Sequence, residues 1–90
     1  MKITDIRKLQ AAAGYDKMQN IIETGMVWHM EGSMGREAMD LLRVGACFLP
    51  NKPYRDAYGN RIPSRNDLAK GSLGTLENAI QFYEILRRKD

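Results

Sequence analysis

Between Pro50 and Gly71 the apolar periodicity of this chain disappears, and all three of its prolines (Pro50, Pro53, Pro63) fall in that stretch. Proline removes a backbone donor and fixes φ, so no continuous helix crosses the segment. Twenty-odd irregular residues are unusual inside a compact domain and are usually functional when they occur. Within them, Tyr54 to Ile62 has room for a small hairpin turning at Gly59-Asn60. The chain is thereby divided into a helical part before Pro50 and a helical part after Gly71.

Before the break, Ile3, Ile6 and Leu9 recur at spacing three and continue into Ala12 and Ala13. Thr4 or Asp5 can cap this helix and Gly14 closes it. Asp16 stands three residues ahead of Gln19, a capping-box spacing. Met18, Ile21 and Ile22 supply the second apolar face, and Gly25 ends it. Met26 to Met30 reads equally as a short strand or a final helical turn. Ser33 reads as an N-cap, with Met34, Ala38, Leu41, Leu42, Gly45 and Phe48 at helical spacing, so a third helix is expected over about 34–48. After the break, a helix starting near Ser72 or Thr75 carries Leu73, Leu76, Ala79, Ile80, Tyr83 and Leu86 on one face. Leu41 and Leu42 are expected to pack against Ile80 and Tyr83.

The expected fold is mainly α: three to four short helices, one long irregular loop and a small β-hairpin, in a single domain over residues 1–90. A chain of this length buries only about 60–65% of its unfolded surface. So thin a core makes self-association an expected means of burying more, and a homo-oligomer is favoured. The six methionines are expected mostly inside, with some on an adaptable contact surface.

The net charge of +3 is mild and argues against a densely basic nucleic-acid binder. The single cysteine, Cys47, lies in an apolar run and reads as a buried, inert thiol. No apolar run reaches the roughly 20 residues that cross a bilayer. The N-terminus lacks a signal-peptide core, so a reducing cytoplasm is the expected location and no membrane partner is read.

The chemistry concentrates in Trp28-His29-Met30-Glu31-Gly32-Ser33-Met34-Gly35-Arg36. Two glycines, a hydroxyl and an arginine meet at a helix start, where the first N–H groups lack partners. Glycine lets a ligand approach the backbone, and Arg36 can grip phosphate or carboxylate with two prongs. A plain serine cap with a solvated arginine is the alternative. His29 and Glu31 would share one face of a strand and could act as acid and base. There is no second histidine, and one His with carboxylates rarely makes a stable zinc site, so no metal or cofactor is read. The long loop adds Tyr54, Arg55, Tyr58, Arg61 and Arg65, residue types that anchor interfaces and stack on bases. Trp28 is either a core anchor or a stacking platform beside the glycines.

The run Trp28 to Leu42 and the run Arg55-Asp56-Ala57-Tyr58-Gly59-Asn60-Arg61-Ile62-Pro63-Ser64-Arg65 together resemble small proteins encoded by tailed bacteriophages and prophages. The resemblance spans about residues 26–75. It implies an accessory protein made in a bacterial host cell, of a kind that acts by binding, and it assigns no site residues.

The resulting expectation is a non-enzymatic binding protein that modulates a host system by holding a phosphate-bearing ligand, a nucleotide signal or nucleic acid. Ser33, Gly35 and Arg36 would hold the phosphate. Trp28, Tyr54 or Tyr58 would stack, and Arg55, Arg61 or Arg65 would close over the ligand. The alternatives are an inhibitor of a host protein acting through the tyrosine-arginine loop, and a small enzyme using His29 and Glu31.

Overall fold

The computed structural model describes residues 1–88. Helices α1 (Ile3–Ala13) and α2 (Asp16–Glu23) are followed by a 3-10 turn (Met26–His29) and helix α3 (Gly32–Val44). A hairpin of two short strands, β1 (Tyr54–Arg55) and β2 (Arg61–Ile62), precedes a second 3-10 turn (Arg65–Asp67) and helix α4 (Leu76–Arg88). The fold is therefore mainly α with one two-stranded antiparallel ladder, in which Tyr54 pairs with Ile62 and Arg55 with Arg61.

Helix α3 stops at Val44, four residues short of the expected end. Gly45 turns the chain at φ 98°, and a side chain there would press on Asn78 O and on Phe82. Beyond it the run Gly45 to Pro50 is buried residue by residue; it turns and bends through Cys47 and then runs on outside any helix or strand. Helical spacing misled here because the same apolar residues serve a two-residue period. Cys47 and Leu49 face one cluster with Met18, Ile22, Val27, Ala38 and Leu42. Phe48 faces the other with Ile6, Ala79 and Tyr83. The expected packing of Leu41 and Leu42 on Ile80 and Tyr83 does not form. The run after α3 lies between them, with Cys47 and Leu49 in one cluster and Phe48 in the other.

A buried segment outside any helix or sheet must find other partners for its backbone. Two glutamines supply them. Gln19 pairs with both backbone groups of Phe48, accepting from its N–H at 3.0 Å and donating to its carbonyl at 3.0 Å. Gln10 Nε2 donates to Gln19 Oε1 at 2.8 Å and to Ala46 O at 3.1 Å. Tyr83 Oη donates to the same Ala46 carbonyl. The expected Asp16–Gln19 capping box is absent: Tyr15 occupies the cap position without a side-chain bond, and Gln19 turns into the core.

The long loop is stitched down. Leu49 N donates to Gly74 O at 2.8 Å, Arg65 N to Pro50 O at 2.9 Å, and Arg65 Nη1 to Leu49 O at 3.0 Å. Ser64 caps the second 3-10 turn, accepting from Asn66 N while its own N–H donates to Asp67. Asn78 Nδ2 closes the end of α3 through the carbonyls of Leu42 and Arg43. The methionines are more exposed than expected: only Met18 is buried, and Met1, Met26, Met30 and Met39 are exposed.

Candidate functional site

A groove of about 550 Å3 opens between the first three turns of α3 and the hairpin. Trp28 forms its inner wall, half-buried and packed against the larger core cluster. Gly32, Gly35, Arg36, Met39, Asp40 and Arg43 form one side, and Asp56 and Ile62 the other. Arg36, Met39, Asp40 and Arg43 fall at i, i+3, i+4 and i+7, so one face of α3 presents them together. Sequence reading missed the last three, although that spacing is visible beside the core stripe. Beneath lies an apolar pocket of about 210 Å3 that shares Trp28, Met39 and Ile62 and adds Leu42, Leu49, Pro63, Leu68 and Leu73.

The hairpin is held against this wall by backbone bonds. Ala57 N donates to Trp28 O at 3.3 Å, and Tyr54 Oη donates to Glu23 O at 3.0 Å. His29 Nε2 sits 2.8 Å from Arg55 O. A carbonyl only accepts, so Nε2 carries the proton. His29 lies on a 3-10 turn rather than a strand.

The helix start differs from the expected cap. Glu31 is the N-cap, in extended backbone, and Gly32 is already helical. Ser33 sits inside the first turn and donates its hydroxyl to Glu31 Oε1 at 3.0 Å. The Glu31 carboxylate therefore stands at the positive end of the helix, where the anion was expected. The cation is one turn further along. Arg36 is exposed, its guanidinium lying over Gly32, and among the described residues it makes no ion pair. Arg43, by contrast, is paired with Asp40 at 2.8 Å.

Of the nine residues expected to bind, the groove gathers Trp28, Gly35 and Arg36. Ser33 is not among its lining residues. Tyr54 lies with its ring on Gly25, which turns at φ 78°. Arg65 stacks over Phe48, 5.6 Å from the ring centre, while tying down Leu49. Both act as struts of the fold. Arg55 and Arg61 lie on the outward face of the hairpin, Arg55 bonded to Gly59 O at 2.8 Å and Arg61 to Asp67 at 2.9 Å. Tyr58 stands at the tip, 91% exposed.

Asp56 organises that tip. Partial burial acts to raise its carboxyl pKa, but hydrogen bonds from Asn60 and from Tyr58 N–H outweigh this and hold it below the ordinary carboxylate value. One oxygen accepts from Tyr58 N at 2.9 Å and Asn60 N at 2.8 Å, the other from Asn60 Nδ2 at 3.2 Å. Cys47 is the opposite case: burial pushes its thiol up to about 12. Among the described residues no three His, Cys, Asp or Glu side chains gather as a metal site, and no helix is long and apolar enough to cross a membrane.

Comparison with protein families, with curated proteins and with solved structures finds no match to this chain.

Proposed function

We propose that this chain is a non-enzymatic binding protein whose groove takes a small phosphate-bearing ligand with a flat ring, a nucleotide or nucleotide signal. The observation that carries the reading is Arg36, an arginine without a carboxylate partner on the rim of a groove walled by the chain's only tryptophan. The guanidinium offers several donors in a fixed fork that suits phosphate. Trp28, Met39 and Ile62 give a ring an apolar surface to lie on.

Gly35 adds a second support. It is helical, and nothing packs within 4 Å of where its side chain would be. Glycine in a helix costs about 1 kcal/mol relative to alanine. No contact within the fold requires that sacrifice, whereas a ligand approaching the helix backbone does. The likeness to bacteriophage proteins supplies the setting: a host nucleotide signal is a ligand that such a protein would gain from holding.

Trp28 fluorescence provides the test. Titration with mononucleotides should change its emission, and inorganic phosphate should compete. Arg36→Ala should weaken binding by about tenfold or more, the scale of a lost charge-assisted hydrogen bond. Gly35→Val should block binding while leaving the charge in place. Nucleotide binding that survives Arg36→Ala unchanged would defeat the reading.

A further inference from the structure

The outward face of the hairpin carries an arrangement that folding alone does not favour. Arg55 and Arg61 are paired directly across the ladder, so both guanidinium stems leave on the same side. Like charges directly opposite weaken a ladder. Arg61 is offset by Asp67, whereas Arg55 is bonded only to the neutral carbonyl of Gly59. Pro53, Tyr54, Arg55 and Arg61 line a shallow hollow of about 170 Å3. Asp67 is the carboxylate paired in this cluster; the oxygens of Asp56 are turned into the tip.

Tyr58 stands at the end of this face. At 91% exposure its ring is free on both sides, and its backbone is fixed by the Asp56 carboxylate and by Gly59 at φ 84°. An aromatic ring standing free in water beside two arginines, of which only Arg61 has a carboxylate partner among the described residues, lacks any role inside the fold. It does match a strand that offers phosphates and unstacked bases together.

We propose that this face binds single-stranded nucleic acid, with Arg55 and Arg61 on the phosphates and Tyr58 stacked on a base. The ring needs an open base face, which a duplex does not present, so the single strand is the favoured occupant. No residue that touches the strand belongs to the Trp28–Arg36 groove, so the two sites stand or fall separately.

The test is fluorescence anisotropy with a labelled oligothymidylate and an oligouridylate of about 12 nucleotides, within the site sizes of single-strand binders. Both should bind at low salt, and a duplex of the same length should bind more weakly. Two cations on a single strand should give a slope of about 1.4 in log Kd against log salt, near 0.7 for each phosphate. Tyr58→Ala should weaken binding by about tenfold, and Tyr58→Phe should retain it. Tyr58 packs against nothing, and unchanged circular dichroism would show that the fold persists. Arg36→Ala should leave oligonucleotide binding unaltered even if it abolishes nucleotide binding in the groove. Failure of either oligonucleotide to bind at low salt overturns the proposal and leaves the face to an acidic protein surface. Equal binding by Tyr58→Ala also overturns it, because the attraction is then charge without a strand geometry.

Discussion

Gln19 is the residue on which the interior most depends. Polar side chains are rarely buried unless their hydrogen bonds are made, and this one satisfies a backbone donor and a backbone acceptor of Phe48 at once. Replacing it with leucine fills similar space but strands both groups. Each buried orphan costs on the order of 1–3 kcal/mol, so Gln19→Leu should destabilise the chain by about 3 kcal/mol, measured by urea unfolding. A loss below about 1 kcal/mol would mean that water replaces the amide. Gly35 makes the contrasting case: Gly35→Ala should raise stability by about 0.5–1 kcal/mol, because its site is helical and open. The same variant should bind nucleotide less tightly, and the combination of gain and loss is what a site residue predicts.

At the scale of elements, the hairpin owes its tip to ionised Asp56. Its folded pKa lies below the unfolded value, so the contribution is complete above the ordinary carboxylate range. It is lost as pH falls through the depressed folded value. Amide exchange at Tyr58 and Asn60 should stay slow at pH 4 and quicken only in stronger acid, a window set by an ordinary aspartate value of 3.8. Asp56→Asn should remove that pH dependence and loosen the tip near neutral pH. Asp67 behaves alike, its carboxyl lowered first by Ser64 N–H and then by Arg61, so the second 3-10 turn should open in the same acid range.

The helices were legible in their apolar stripes, with Gly14 at φ 87° stopping α1 and the Thr75 hydroxyl opening α4, but the stop of α3 at Gly45 was missed. The hairpin was legible in Gly59-Asn60. The run from Ala46 to Leu49 was not, because a buried irregular segment and a buried helix share one composition. Its backbone is held by glutamines 29 and 36 residues away in sequence, Gln19 on Phe48 and Gln10 on Ala46, which no local pattern announces. The site was half legible for a related reason. Arg36 and Gly35 stand in a conspicuous run, but whether an arginine is free depends on where carboxylates land in space. Arg61 found Asp67, Arg65 settled on a backbone carbonyl, and among the described residues Arg36 found no carboxylate.

At the scale of the molecule, the two core clusters meet at a single segment, Ala46 to Leu49, within a body measuring 41 × 25 × 19 Å. Neither cluster can be lost without releasing the segment that seals the other. Unfolding should therefore be one transition. Trp28 emission, which reports the larger cluster, and helical circular dichroism should give superimposable urea curves. Leu42→Ala should shift both by about 2–4 kcal/mol, a large share of a small domain's stability. Two separate midpoints would show that the clusters are independent units.

Cys47 lies on that segment, fully buried, with its thiol held far from ionisation. An alkylating reagent attacks the thiolate, and only an opened chain offers one. The molecule thus carries its own clock. The speed at which Cys47 is modified reports how often the interior parts, without any added label. A ligand that clasps the folded form should slow that clock in proportion to its occupancy.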